Sequence, residues 1–310
     1  MKSHNRCGRR AAILGFCIGL AMAGPAAALD IEPVADGIWA LVGETGQRSP
    51  ENLGNNATFG LVVAQGGAVL IDPGGSWKGA EALHEAIRTI TDQPVRYVID
   101  TGGQDHRWLG NGYWQAQGAV VIASAEAVAD QRARASMQMS VLAQLLGDAL
   151  EGTAPSYADV SFDESYRLDL GDLSLEVVHP GPAHTQGDSF VWVADRSTVF
   201  AGDIVFVDRL LGLLEDSSIS GWPASFEAMA ALGPAHVVPG HGRATTLDVA
   251  RRDTYEYLLN LRARIAALIE RGGTIMEAPK IDQSAFSDLE QFESLAGRNA
   301  QAAFQQMEWE

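Results

Sequence analysis

The chain has 310 residues, 39 of them acidic and 22 basic, for a formal net charge of −17 at neutral pH. That excess of negative charge works against nucleic acid and anionic membrane surfaces as partners, and the length allows one large core without disulfide help.

The first stretch of the chain reads as an export signal. Lys2, Arg6, Arg9 and Arg10 form a basic start, residues 11–23 (AAILGFCIGLAMA) an apolar run, and Ala26, Ala27 and Ala28 a small-residue cleavage site. The run is short for a membrane span. The sequence therefore predicts a signal peptide over 1–28, a mature chain in a periplasmic or secreted compartment, and no membrane contact in the mature form. Cleavage removes both cysteines, Cys7 and Cys17, and with them any disulfide or thiolate chemistry.

Residues 37–43 (GIWALVG) suit a first strand, followed by a mobile loop to about Asn55. Short β-branched runs bounded by Gly, Pro and Asn then recur as strands: 59–64, 68–72, 95–99, 119–124, 173–178, 189–194, 198–203 and 235–240. Several are apolar throughout, as in a sheet covered on both faces. Helices are expected over 78–91, with Ala82, Leu83, Ala86, Ile87 and Ile90 on one face, and over 124–150. Two more are expected over 245–271, with Tyr255, Leu258, Leu259, Arg262 and Ile265 at helical spacing, and over the tail 284–310, with Leu289, Phe292, Leu295 and Phe304. With no repeat, low-complexity segment or dividing linker, residues 29–310 read as a single α/β layered domain with a helical C-terminal tail.

Three loops share one feature: a potential metal ligand just beyond an apolar strand, in a turn of small residues. VVHPGPAHTQGDS presents His184, TVFAGDIVF presents Asp203, and AHVVPGHGRAT presents His241. Small residues let the backbone bend so that the side chain points back over the sheet end. A catalytic zinc takes about three His and carboxylate ligands and leaves a position for water. Of the other histidines, His84 falls on the polar side of a helix and His236 opens a strand, so neither suggests a ligand. His179 is close enough to His184 to support it.

GPAHTQGD, FAGDIVF and VVPGHG, with NNATFGLVV and AVLIDPGGS upstream, resemble the metallo-β-lactamase superfamily over nearly the whole mature chain and in the right order. SGW at 220–222 and the ending RNAQAAFQQMEWE are similar to exported quinoprotein relay system zinc metallohydrolases. The resemblance implies a four-layer αββα sandwich with its site along one edge. It also implies that His184 belongs to a first zinc site, that Asp203 bridges two metals and that His241 binds a second zinc. Asp72 would brace the site from an early turn without binding metal.

The departure lies in YVIDTGGQDHRWLGN, residues 97–111, where the family carries T-H-x-H-x-D-H. Aligned without gaps, Gly102 and Gln104 replace the first two histidines, His106 replaces the aspartate and Arg107 the last histidine. A one-residue slip instead restores an aspartate–histidine pair as Asp105-His106. Either way the dinuclear centre is incomplete, because Gly has no side chain and an amide oxygen is a poor zinc ligand beside imidazole. At most one zinc ion is expected, from His106, Asp203 and His241, with Asp105 a further candidate and His184 left from the first site. Gln104 and Arg107 become candidates for contacting a small-molecule substrate or ligand.

Three functions follow. One is a mononuclear metallohydrolase attacking an ester, thioester or amide carbonyl. Another is a catalytically inactive exported module that binds a ligand or partner. The last is metal-free acid/base hydrolysis by Asp203 paired with His106 or His184. Neither a G-x-S-x-G elbow nor a mature cysteine supplies another nucleophile.

Overall fold

The computed structural model describes residues 1 and 29–309; residues 2–28, which carry the expected signal peptide, lie outside the described residues. Two sheets form the centre. The first has seven strands in sequence order: β1 (Asp30–Ala35), β2 (Ile38–Val42), β3 (Thr58–Ala64), β4 (Gly67–Ile71), β5 (Val95–Asp100), β6 (Val120–Ser124) and β7 (Val160–Phe162). The second runs β12 (His236–Val238), β11 (Thr198–Phe200), β10 (Phe190–Val193), β9 (Ser174–Val178) and β8 (Ser165–Asp169).

Strand alternation builds the layers. Side chains on a strand point to opposite faces in turn. In β3 and β4, Val62, Val69 and Ile71 face the second sheet, where they meet Leu175, Val177, Val191 and Phe200. Their neighbours Phe59, Leu61 and Leu70 face outward onto Leu83, Ile87 and Trp114 of helices α1 (Trp77–Arg88) and α2 (Asn111–Ala116). In the second sheet Val199 and Val237 face outward instead. They pack with Phe226 of α4 (Trp222–Ala230), Leu258 and Leu261 of α6 (Tyr257–Glu270) and Phe304 of α7 (Phe292–Met307). The result is the four-layer αββα sandwich. Apolar runs read as strands because most of these strands are covered on both sides.

All eight apolar runs form strands, and β2 lies within 37–43. The edge strands β1, β7 and β8 and the short helices α2 and α4 carried too little periodicity to be anticipated. The helix expected over 245–271 is broken: α5 (Leu247–Ala250) passes through a π segment, Arg251–Glu256, before α6. The wider turn shifts the register. Tyr257, Leu258, Leu261 and Ile265 face the core, while Leu259 is exposed. The loop before β3 is tethered rather than mobile. Asn55 donates to Gly79 O at 2.9 Å and accepts from Gly75 N at 3.1 Å, and Asn56 donates to Gly46 O at 3.0 Å.

Parallel pairing fixes the position of the site. β4, β5 and β6 run parallel, as do β11 and β12, so the turns beginning at Asp72, Thr101, Gly202 and Gly240 gather at the carboxyl ends of the strands. Helix α3 (Ala125–Leu146) lies beside them and packs on Trp108 and Leu109.

Candidate metal centre

The centre is best built outward from Arg107, whose side chain is wholly buried. Its Nη1 donates to Asp72 Oδ2 at 2.7 Å and to Thr58 O at 3.1 Å; its Nη2 donates to Asp203 Oδ1 and Gly240 O, both at 2.7 Å. Position 240 must be glycine, because a Cβ there would stand 2.6 Å from Nη2 and 2.4 Å from Gly202 O. Asp72 has a positive φ of 67° that few side chains tolerate, and its carboxylate also accepts from Thr101 N at 2.8 Å and Thr101 Oγ1 at 2.9 Å. It joins the guanidinium of Arg107 to the start of the 101–107 loop. The expectation that Arg107 meets substrate does not hold: its guanidinium ties two buried carboxylates together and does not line the cleft.

Asp203 stands between two imidazoles. Its Oδ2 lies 3.2 Å from His106 Nε2 and its Oδ1 lies 3.3 Å from His241 Nε2. The two rings meet edge to face, with centroids 5.0 Å apart, and His241 stacks on Phe206 at 4.6 Å. Burial works to raise the Asp203 carboxyl, but Arg107 and His106 outweigh it and hold it well below the usual carboxylate range. Burial pushes His241 well below the ordinary histidine value and His184 down to about 4, so both are neutral near pH 7.

His106, Asp203 and His241 each offer one ligand atom, and these atoms all lie within 4.8 Å of one another. Asp105 does not join them. Its Oδ1 accepts from Arg48 Nε at 3.0 Å and sits 3.1 Å from His106 Nδ1. Burial raises the Asp105 carboxyl, and the adjacent Arg48 and His106 bring it below the usual range. Asp105 thus positions a ligand instead of being one. Arg48 Nη2 also lies 3.0 Å from the same Nδ1, so which neighbour the ring pairs with depends on its tautomer.

The first-site half is closed. His184 lines the cleft, packed against Phe206 and Trp222, but lies outside the three-ligand group. His179 bonds Asp188 O at 2.8 Å and gives His184 no support. At Gly102, a Cβ would stand 2.4 Å from Asp188 Oδ1. Asp188 is anchored by Thr185, whose N donates to Oδ2 at 2.7 Å, and burial raises its carboxyl to about 8. From α3, Gln131 Nε2 donates to Gly102 O at 3.1 Å and Gln138 Nε2 to Gly103 O at 2.9 Å. Gln104 lines the cleft, as a substrate contact requires, with its amide oxygen 3.4 Å from Arg134 Nη1. Asp188, Arg48, Gln131 and Gln138 were not anticipated. The only sequence signal was the polar row Gln131, Arg134 and Gln138 on one helix face.

Comparisons with known proteins agree with this fold. The sequence profile of the metallo-beta-lactamase superfamily matches residues 54–241. An uncharacterized protein of Mycobacterium leprae is 29% identical over 208 residues, 60% of this chain and 85% of its own length. A type 2 metallo-beta-lactamase of Pseudomonas aeruginosa is 30% identical over 122 residues, 38% of this chain and 48% of its own. Among solved structures, a metallo-beta-lactamase from Pontibacter korlensis aligns with a TM-score of 0.60 at 23% identity, covering 75% of this chain and 99% of that one. A Pseudomonas aeruginosa metallo-beta-lactamase in a mono-zinc form also gives 0.60, at 18% identity, over 76% of this chain and 97% of that one. These two likenesses are of fold alone.

Proposed function

The chain belongs to the metallo-β-lactamase superfamily, and we propose that it is an exported, hydrolase-like member holding at most one zinc ion. Its reaction would be attack by water on an ester, thioester or amide carbonyl of a small molecule. The observation that carries the proposal is the convergence of His106, Asp203 and His241. Two imidazoles and a carboxylate are a zinc-type donor set that leaves a position open. His106 Nε2 stands 3.2 Å from Asp203 Oδ2 and His241 Nε2 3.3 Å from Asp203 Oδ1, close enough for one small ion to reach both rings and the carboxylate. Burial keeps His241 neutral and Arg107 keeps Asp203 ionised, the forms that bind metal.

Bound zinc would supply Lewis-acid activation of water near neutral pH. The chain's own residues do the positioning. In the tautomer with Nδ1 protonated, Asp105 would accept from His106 Nδ1–H and leave Nε2, which faces Asp203, free to bind metal. Arg107 fixes Asp203, and Asp72 fixes Arg107.

Metal content tests the proposal. Protein purified with added zinc should hold about one equivalent, and His241→Ala should abolish it. Less than about a tenth of an equivalent with or without added zinc overturns the metallohydrolase. For export, N-terminal sequencing of protein from a periplasmic fraction should begin near Leu29; an intact Met1 would refute cleavage.

A second reading is a non-catalytic binding module, with no nucleic acid or membrane partner. One observation favours it: a permanent cation, Arg107, already sits 2.7 Å from Asp203 and opposes a dication there. The same metal measurement separates the two.

A further inference from the structure

The two imidazoles that face Asp203 are held in different ways. A metal-binding imidazole is normally oriented by a hydrogen bond at the ring nitrogen that does not touch the ion. His106 has such neighbours at Nδ1, in Asp105 and Arg48. His241 does not: among the described residues its buried Nδ1 meets no hydrogen-bond partner. Packing fixes this ring instead. It stacks on Phe206, with centroids 4.6 Å apart and planes 15° from parallel, and meets His106 edge to face.

The position of Phe206 therefore bears directly on where His241 points. The two residues form a short parallel bridge, in which Val207 N donates to His241 O at 3.0 Å and Gly240 N donates to Val205 O at 2.9 Å. Those bonds leave the N–H and C=O of Phe206 itself unused, and one side chain takes both. Thr254 Oγ1 accepts from Phe206 N at 2.9 Å and donates to Phe206 O at 2.6 Å. Two residues along the loop, Asp253 Oδ2 accepts from Asp208 N at 3.2 Å. Both clamping residues are buried, Thr254 completely, and both belong to the π segment Arg251–Glu256. A π segment puts more residues into each turn, so sequence neighbours diverge less and Asp253 and Thr254 can face one loop together. Such segments are rare and are found frequently at functional sites.

We infer that the π segment is a clamp on the candidate metal centre, in which Thr254 is a positioning residue that holds the Phe206 ring against His241 and thereby aims His241 Nε2 at Asp203. A ligand set must be kept within about 0.5 Å and 10–20° of its working geometry, and stacking on a tethered ring keeps His241 within that tolerance. The consequence for zinc rests on the metallohydrolase reading above; the orientation of the ring does not.

Two measurements on the full mature chain test this. In metal-free protein, the His241 ring protons lie against the Phe206 face and should carry its ring-current shift in NMR spectra, assigned by their loss in His241→Ala. Thr254→Val, which keeps the shape of the side chain and removes the hydroxyl, should reduce that shift or broaden the signals; Thr254→Ser should restore them. Thr254→Ala also lacks the hydroxyl and leaves room for solvent to reach the two backbone groups, so it serves if the valine variant does not fold. In zinc-supplied protein, competition with a chelator should show affinity about tenfold lower for Thr254→Val or Thr254→Ala and near wild type for Thr254→Ser. Ile87→Ala, a core truncation in α1, controls for general destabilisation and should leave both readouts unchanged. Unmoved His241 signals in the variants without the hydroxyl overturn the inference, as does a loss of zinc affinity equal to that of Ile87→Ala. If the wild type holds no zinc, the metallohydrolase reading falls, while the metal-free spectra still decide whether Thr254 positions His241.

Discussion

The two halves of the centre are filled in different ways. On the side of His106, Asp203 and His241, the donors still converge and a guanidinium is added beneath them. On the side of Gly102 and Gln104, side chains from elsewhere have closed the space. Asp188 and Thr185 hold the loop from one direction, and Gln131 and Gln138 of α3 from the other. The loop around Gly102 leaves no hole, because its own amides and carbonyls take protein partners.

The strongest way to break this contrast is to remove its cation. Arg107→Met leaves Asp72 and Asp203 buried without compensation, and should cost about 3–5 kcal/mol in urea denaturation. A loss below about 1 kcal/mol would mean that the guanidinium is not what holds that half together. Next, Gly102→His should not restore zinc binding. It should destabilise by about 1–3 kcal/mol, because its Cβ meets Asp188. Adding Asp188→Ala should recover most of that loss. If the single substitution were neutral and gained a metal, the closed half would not be closed.

Asp188 gives a pH test of the same half. Burial raises its carboxyl to about 8 in the folded protein, against about 3.9 in the unfolded chain. Between those values the folded state holds the extra proton, so stability falls as pH rises from about 4 to about 8, by at most about 1.4 kcal/mol per pH unit. Asp188→Asn, whose amide oxygen can still accept from Thr185 as the carboxyl oxygens do, should flatten the slope in denaturation curves between pH 5 and 8. A slope equal to the wild type's would assign the titration elsewhere. The mildest change is Asp105→Asn, which weakens the brace on His106 and should lower zinc affinity about tenfold. Competition with a chelator measures it, and unchanged affinity would make Asp105 a partner of Arg48 only.

Much of the fold was legible because strands covered on both faces announce themselves as unbroken apolar runs, and their turns carry the small residues that aim His184, Asp203 and His241. Three of the four edge strands, β1, β7 and β8, lack that signature, since part of each meets solvent. The π segment cannot be seen in spacing, and it moved Tyr257 into the place expected of Tyr255. At the site, the residue types were readable but their directions were not. Nothing in DHR says that Asp105 turns away toward Arg48 while Arg107 passes inward beside Gly240. Likewise, nothing marks Asp188 as the neighbour of Gly102, because that contact joins residues far apart in the chain.

The guanidinium between Asp72 and Asp203 is a counter-ion that no chelator strips and no shortage withholds. The two buried carboxylates are therefore compensated from within the chain, so an ion bound by the three donors would not be needed to neutralise them. Occupancy of the three donors would then track the surrounding medium without deciding whether these charges are paired.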